Sequence, residues 1–547
     1  MQLLVNHNPV DLEVHPGGVA LDLLRGPLGL SGVKEGCREG DCGACTILHG
    51  HLQDGRIIYQ SVVSCLLPLG DCAGTHLVTI EGLNPAPAAT GPFADRHPVT
   101  PLQQAFVDQG AIQCGFCTPG LVMALTGWLL NAASWDEEEA LLSVAGNICR
   151  CTGYLAIRRA IRQVLTRLPD AAAPRLDSLI AAGYLPAWFA AVPAQLAALQ
   201  PPAAAGAARG TDEPALPEAA AGIQLDGAGK AAPDADEPAL SETAVELRPS
   251  AAGAPAPDAD EPALSESAVE LRPSAAGAPA PGIIRVAGGT DLFVQKPEAL
   301  ESASLELLSR RPDLGGITVA AGHCRIGGAV TVEELRRSSA LATALPGLPH
   351  YLRLISSTQI RNRATVAGNL VNASPIGDLT ILLLALAAEV ELSDNMLSRH
   401  LPLRAFYLGY KKLDLQEGEL VAAVHFALPG AGDLFNFEKV SRREHLDIAS
   451  VNSACLLRHN GATVEEVHLS AGGVAPVPLY LERCCAYLRG RELDEAVLTE
   501  ALRVAGGEIA PMSDVRGTAE YKQLLLGQLL RAHFIRLLPG RFAGEEA

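Results

Sequence analysis

The sequence predicts a multidomain α+β chain, because its length exceeds what one core can fill, its hydrophobic period changes along the chain, and one long segment has no period. At 547 residues, and with domains usually holding about 100–200 residues, three or four folded units are expected. In the first unit, placed at 1–82, short β-like runs at 2–5, 10–14, 46–48 and 78–80 alternate with Gly-rich turns. A short helical pattern at 20–25 lies among them, which makes this unit a small α+β fold.

From 101 to 168 the period becomes helical: Leu102, Ala105 and Phe106 share a face, as do Leu121, Leu125 and Leu129, then Ile157, Ile161 and Leu165. With a further helical stretch at 175–180, this second unit, a helical bundle, is placed at 83–200. The segment 201–282 is Ala/Pro/Gly-rich and contains a tandem duplication, in which the 24-residue copies 233–256 and 257–280 differ only at Thr243 and Ser267. Two copies so poor in apolar residues cannot stack into a repeat core, so a disordered linker is expected.

Globular patterning resumes with β runs at 283–286 and 317–320, a helix at 332–339 and a buried helix at 379–388. A boundary near residue 431 separates an α+β unit at 283–430 from a last one at 431–547. In the latter, strands at 454–458 and 464–469 precede helices at 494–506 and 518–537.

A net charge of −19, with no cluster of Lys and Arg, disfavours nucleic acid as a partner. Between Arg209 and Gly282 there are 14 acidic and 4 basic residues, so the folded units themselves are only mildly acidic. No apolar run reaches the ~20 residues of a membrane span, and the N-terminus has no secretory pattern; the cytoplasm is the expected location.

Thirteen cysteines in a reducing compartment point to metal ligation rather than disulfides. Eight fall in two groups. Cys72, Cys324, Cys455, Cys484 and Cys485 have no partner pattern and are expected to be buried thiols. The first group is Cys37-x4-Cys42-x2-Cys45 followed by Cys65, within Glu35-Gly36-Cys37-Arg38-Glu39-Gly40-Asp41-Cys42-Gly43-Ala44-Cys45. This is the plant-type [2Fe–2S] spacing. Zinc sites favour paired short spacings instead. The glycines let backbone N–H groups approach an anionic cluster. The second group is Cys114-x2-Cys117 and Cys149-x-Cys151 in the helical unit. By spacing alone it fits a four-cysteine zinc site or a second [2Fe–2S] cluster in which each pair clasps one iron.

Two stretches carry a resemblance: Ile112-Gln113-Cys114-Gly115-Phe116-Cys117-Thr118-Pro119-Gly120 and Gly146-Asn147-Ile148-Cys149-Arg150-Cys151-Thr152-Gly153-Tyr154. They resemble the helical [2Fe–2S] domain of the xanthine dehydrogenase family of molybdenum hydroxylases. The turn Val286-Ala287-Gly288-Gly289-Thr290-Asp291-Leu292 alone reads as a loop, with a nest of N–H groups as its chemical possibility. The run Ser356-Ser357-Thr358-Gln359-Ile360-Arg361-Asn362-Arg363-Ala364-Thr365-Val366-Ala367-Gly368-Asn369-Leu370 and the later Asn372-Ala373-Ser374-Pro375-Ile376-Gly377-Asp378 are similar to the FAD-binding domain of the same family. The resemblance covers 1–200 and 283–547.

The resemblance implies a β-grasp ferredoxin-like domain, a helical [2Fe–2S] bundle, an α+β FAD-binding domain of molybdopterin dehydrogenase type, and a C-terminal α+β domain. It implies two [2Fe–2S] clusters, one on Cys37, Cys42, Cys45 and Cys65, the other on Cys114, Cys117, Cys149 and Cys151, with Gln113 and Cys151 approaching a pterin. For FAD it implies that Ala287, Gly288, Gly289, Thr290 and Asp291 cradle the pyrophosphate and that Thr365, Gly368, Asn369 and Asp378 hold the nucleotide. Leu420 and Lys439 then border the isoalloxazine.

The expected function is electron transfer from a molybdopterin-containing large subunit through both clusters to FAD, and on to an acceptor such as NAD. No bond-making catalytic residue lies on this chain, and a heterodimer or higher hetero-oligomer is expected. The rival reading is a free-standing NAD(P)H-linked iron–sulfur flavoprotein reductase.

Overall fold

The computed structural model describes residues 1–84, 99–170, 175–199, 283–394 and 396–542. The duplicated repeats and the rest of the expected linker at 201–282 lie outside the described residues. Strands β1 (Gln2–Val5), β2 (Asn8–Asp11), β3 (Thr46–Gln53), β4 (Arg56–Val63) and β5 (His76–Val78) form one sheet in the order β2-β1-β5-β3-β4. Only β1 and β5 run parallel. The helix Ala20–Arg25 lays Ala20, Leu21, Leu23 and Leu24 into a core with Leu3, Val5, Ile47 and Leu77, and this grasp of sheet around helix leaves the loop after it free to carry cysteines.

Two strands differ from the predicted runs. The Val5↔Asn8 pairing of the first hairpin draws β2 forward to Asn8–Asp11, and β4 was missed because Tyr59, Gln60 and Ser61 interrupt its aliphatic residues, with Ile57 and Ile58 before them and buried Val62 and Val63 after.

Among the helices that follow are Pro101–Asp108, Thr118–Asn131, Glu137–Ser143, Leu155–Leu165, Arg175–Ala181 and Val192–Leu199. The first opens with a capping box in which Thr100 and Gln103 satisfy each other's backbone N–H groups, and Pro101 fills the first helical turn. Leu102, Ala105, Phe106, Leu121, Leu125, Leu129, Ile157 and Ile161 are buried as predicted. Leu165 is only partly buried, and Val164 takes the inward position beside it. The helical core is continuous with Leu48, Tyr59 and Val78 of the first sheet, so helices and sheet bury one surface together.

From residue 283 on, β6 (Ile283–Val286) pairs in parallel with β7 (Ser304–Leu307). Strands β8 (Ile317–Ala320), β9 (His323–Gly327), β10 (Glu389–Ser393), β11 (Ser398–Pro402), β12 (Tyr407–Gly409), β13 (Lys412–Leu413) and β14 (Leu420–Ala427) come next. Five of these build an antiparallel sheet, β11-β10-β14-β9-β8. The last sheet is the meander β15 (Leu434–Val440), β16 (Val451–Asn460), β17 (Thr463–Gly472) and β18 (Leu479–Tyr480), backed by helices Glu482–Leu488 and Ala519–Leu537, on which the helix Glu495–Gly506 packs in turn.

The helix Asp378–Ala385 is apolar on all sides and buried from Leu379 onward. Ser470 Oγ donates to its Ile381 carbonyl at 2.7 Å, tying this helix to the last sheet. A helix with no polar face is stable only between packed layers. No helix among the described residues is long and apolar enough to cross a membrane, and the five cysteines without a partner pattern are all buried.

Candidate iron–sulfur and flavin sites

The first cysteine set sits on the loop between the helix Ala20–Arg25 and β3, with Cys65 added from the turn Ser64–Leu66 after β4. The sulfurs of Cys37 and Cys42 face each other, as do those of Cys45 and Cys65. Cys37 Sγ also accepts from the backbone N–H groups of Glu39 and Cys42, both at 3.4 Å. The Cys42 side chain first, and these N–H groups after it, bring the Cys37 thiol down to about 5, whereas Cys42 is raised as the partner that keeps its proton. The backbone N–H groups that reach Cys37 Sγ are placed to hydrogen-bond a thiolate ligand.

The second set joins two loops. Cys117 caps the helix Thr118–Asn131, and Cys149 and Cys151 precede the helix Leu155–Leu165. Here the structure corrects the expected pairing. Sulfurs meet across the motifs rather than within them: Cys151 Sγ is 3.6 Å from Cys114 Sγ, and Cys117 faces Cys149. The Cys149 N–H donates to Tyr154 Oη at 2.9 Å, with Tyr154 at a φ of 65°, which folds the short Cys-x-Cys turn toward the other loop. Cys114 and Cys151 are exposed, whereas Cys117 and Cys149 are buried.

The donor sets separate zinc from a dinuclear cluster. A tetrahedral zinc with bonds of about 2.3 Å needs its sulfurs about 3.8 Å apart in every pair. Among the described residues no three cysteine sulfurs lie within 4.8 Å of one another. Sulfurs paired two and two fit two irons.

The two sulfur sites touch through the backbone. The Ile148 N–H donates to the Cys42 carbonyl at 3.0 Å, and Asn147, buried, donates from Nδ2 to the Gly43 carbonyl at 2.8 Å. A Cβ at Gly43 would stand 2.4 Å from the Gly146 carbonyl oxygen, so only glycine lets the loops close. The later segment 357–363 wedges beside both. Gln359 donates to Ser143 O at 2.9 Å and Asn147 Oδ1 at 3.1 Å, and Asn362 to Ser61 O at 2.8 Å. Ile360 lies against Gly40 of the first cysteine loop.

The flavin candidates converge from several elements. After β6, Gly289 turns the chain at a φ of 80°, and the buried backbone N–H groups of Gly288 and Gly289, with those of Thr290 and Asp291, donate to no group among the described residues. Buried N–H groups are rarely left unpaired, and a turn of them is a phosphate cradle. A Cβ at Gly288 would stand 2.0 Å from the Arg363 carbonyl oxygen, which seats the turn on the 357–365 segment. The Arg363 side chain donates to the Gly288 carbonyl at 3.2 Å and pairs with buried Asp71 of the first unit.

Thr365 caps the helix Val366–Asn372 by accepting from the Gly368 N–H, and Gly368 lies near Ala287. Asn369 Oδ1 accepts from Thr380 at 3.0 Å. Desolvation raises the Asp291 carboxyl, with Lys411 and Asn372 opposing it. Leu420 packs in a small apolar cluster with Ala287 and Ala329. Asp378 and Lys439 form an ion pair at 2.7 Å, and Lys439 also donates to Leu354 O. The other Asp378 oxygen accepts from Asn452, a partner that nothing in the sequence singled out. A cavity of about 850 Å³ opens between Ser61, Asn131, Arg336 and Arg363. Thr365 is the only flavin candidate on its wall, so its size marks a gap between packed units.

Comparison with known proteins agrees with this arrangement. The family model described as a 2Fe-2S iron-sulfur cluster binding domain matches residues 3–68, and a [2Fe-2S] binding domain matches 79–162. An FAD binding domain in molybdopterin dehydrogenase matches 261–429, and a CO dehydrogenase flavoprotein C-terminal domain matches 436–537. Xanthine dehydrogenase 1 of Arabidopsis thaliana is 28% identical over 527 residues, covering 92% of this chain and 37% of the relative. Aldehyde oxidase 2 of Cavia porcellus is 26% identical, covering 96% and 39%. This chain thus spans little more than a third of those relatives.

A solved structure, reconstituted CO dehydrogenase from Oligotropha carboxidovorans, is 30% identical over 48% of this chain and 91% of that one, with a TM-score of 0.45. The matched domains give the cofactors as two [2Fe–2S] clusters and FAD. The chain belongs to the xanthine dehydrogenase family of molybdenum hydroxylases, as the fused part of it that binds iron–sulfur clusters and flavin.

Proposed function

We propose that this chain is the electron-transfer part of a molybdenum hydroxylase, accepting electrons from a molybdopterin-containing partner and delivering them to an acceptor such as NAD. Cys37, Cys42, Cys45 and Cys65 hold one cluster, and Cys114, Cys117, Cys149 and Cys151 the other. Ala287, Gly288, Gly289, Thr290 and Asp291 receive the FAD pyrophosphate, with Thr365, Gly368, Asn369 and Asp378 along the nucleotide and Leu420 and Lys439 near the ring. When bound, each cluster exchanges one electron and the flavin two, which suits a relay between one- and two-electron partners.

The observation that carries this reading is the Ile148 N–H to Cys42 carbonyl hydrogen bond of 3.0 Å. It links a neighbour of Cys149 directly to a cysteine of the first set. Asn147 and Gln359 hold the two loops in register around it. A partner surface is at hand: Ile112, Phe116, Ile148, Tyr154 and Leu155, all from the two loops of the second set, are exposed large apolar side chains. Such residues grouped around exposed Cys114 and Cys151 mark a docking face, and the partner that fits is the molybdopterin chain. Gln113 stands on the same loop. The domain division 1–82, 83–200, 283–430 and 431–547 belongs to this proposal.

The test is a Cys42→Ser chain co-expressed with its molybdenum partner. One of two EPR signals is expected to vanish while the other, FAD and partner binding persist. Loss of both signals together, or one zinc with two irons per wild-type chain, sinks the assignment. Recovery of a partner-free chain that oxidises NAD(P)H would favour the reductase reading.

A further inference from the structure

We propose that Glu391, His400 and His425 form a divalent transition-metal site of the zinc class on the outer face of the β11-β10-β14-β9-β8 sheet, separate from the iron–sulfur and flavin sites. The three come from neighbouring strands, β10, β11 and β14. Strand alternation puts them on one face: Val390 and Leu392 point into the core, so Glu391 between them points out. His400 is directly opposite Glu391 in the β10/β11 pairing, and His425 lies diagonally across β14, opposite Glu389.

Among the described residues this is the one group of three or more His, Cys, Asp or Glu side chains whose donor atoms all lie within 4.8 Å of one another. His425 Nε2 already stands 2.9 Å from Glu391 Oε2, and the two imidazole rings are 5.1 Å apart. In a tetrahedral site with bonds of about 2.0–2.1 Å, donors stand about 3.4 Å apart, so side-chain rotation on a fixed sheet closes the set. Two borderline imidazoles and one hard carboxylate make a donor set that suits zinc, with water in the remaining position. His400 is exposed and the other two are half-buried, which leaves that position open to solvent.

One neighbour opposes the ion. Arg325 on β9 brings its guanidinium to 3.6 Å from Glu391 Oε2, a positive charge beside the proposed anionic ligand. It makes the site weaker than a structural zinc centre, and it supplies a control that acts in the opposite direction. Occupation would pin β11, an edge strand paired in the sheet only with β10, to the interior strand β14.

The experiment uses the full chain with both clusters and FAD loaded, verified at about four irons per chain, so that no cluster cysteine competes. Zinc is titrated against a fluorescent zinc indicator, and hydrogen exchange is followed in the β10–β11 hairpin. One equivalent is expected in the wild type, with at least tenfold weaker binding in His400→Ala and Glu391→Gln and several-fold tighter binding in Arg325→Gln. Exchange in 398–402 should slow with zinc in the wild type and in Arg325→Gln, but not in the two ligand variants. Equal titrations for the wild type and both ligand variants, or no zinc bound by the wild type or by Arg325→Gln, overturn the site.

Discussion

Replacing Glu333 with Gln should loosen the flavin-binding part of the chain more than any surface substitution. Glu333, on the helix Val332–Arg337, has a side chain 3% exposed and pairs with the fully buried Arg361 at 2.8 Å. It also accepts from Arg336 at 2.8 Å and Arg337 at 2.9 Å. Burial pushes the Glu333 carboxyl up, but Arg361, then Arg336 and Arg337, outweigh it and bring it down to about 2 from 4.5. At 1.36 kcal/mol per unit that displacement is worth about 3.4 kcal/mol, in line with about 3–5 kcal/mol for breaking a buried pair.

Gln keeps the shape but removes the charge, and its amide presents N–H groups to guanidinium donors. Arg361, whose own proton affinity is lowered by burial and held up by Glu333, is left as a buried cation bonded only to Ile355 O, Thr358 and weaker carbonyl contacts. A loss of about 3 kcal/mol corresponds to a midpoint roughly 6–12 °C lower for a unit of this size, read by the fluorescence of FAD as it is released. The pH dependence has a definite sign. A carboxyl depressed on folding contributes fully above its unfolded value of 4.5 and fades as pH falls toward 2, so the gap between wild type and variant should shrink to about 1.4 kcal/mol at pH 3. A midpoint within about 2 °C of the wild type at neutral pH would refute the reasoning.

Two further outcomes are expected. Gly288→Ala, whose new Cβ would stand 2.0 Å from the Arg363 carbonyl oxygen, should lower the FAD-to-protein ratio severalfold while iron content stays unchanged; full flavin content would move the pyrophosphate turn elsewhere. His533 is completely buried between Asn436 Nδ2 at 2.8 Å and Ser453 Oγ at 3.1 Å, and burial, then Arg536, lower it to about 3. The unfolded chain therefore takes up the proton first. The contribution of His533 is level only well above pH 6.5 and should lower stability by about 2 kcal/mol by pH 5, a slope that urea unfolding should find flattened in His533→Gln.

What could be read from the sequence was local. Cys37, Cys42 and Cys45 share one loop, so their spacing already carries the geometry of the ligand set. The faces of Leu102, Ala105 and Phe106 or of Leu121, Leu125 and Leu129 follow from helical period alone. The crosswise meeting of Cys114 with Cys151 and of Cys117 with Cys149 was not legible, because it depends on how two loops at the ends of different helices interdigitate. Asp378 and Lys439 were singled out as flavin residues by resemblance, yet their mutual ion pair and the Asn452 contact arise only when the helix Asp378–Ala385 is packed against the last sheet. Glu333 carried no signal either, since a glutamate after Thr331 and Val332 reads as an ordinary first-turn acid.

The segment 357–365 shows why these parts sit on one chain. Its sequence resembles a flavin-binding run: Thr365 caps the helix Val366–Asn372, and the Arg363 carbonyl packs on the turn at Gly288. Four of its side chains face the other way: Thr358 bonds Leu142 O, Gln359 bonds Ser143 O and Asn147, Ile360 lies on Gly40, and Asn362 bonds Ser61 O. Each partner is in or beside a cysteine-bearing unit. Electron transfer falls off steeply with separation, so a relay needs its sites held at fixed distance. Buried polar contacts serve that end better than apolar ones, because a shift in register leaves them unpaired at about 1–3 kcal/mol each. The Glu333–Arg361 pair anchors this segment from behind, which is why a substitution touching neither cysteine nor flavin turn is expected to slow electron delivery between them.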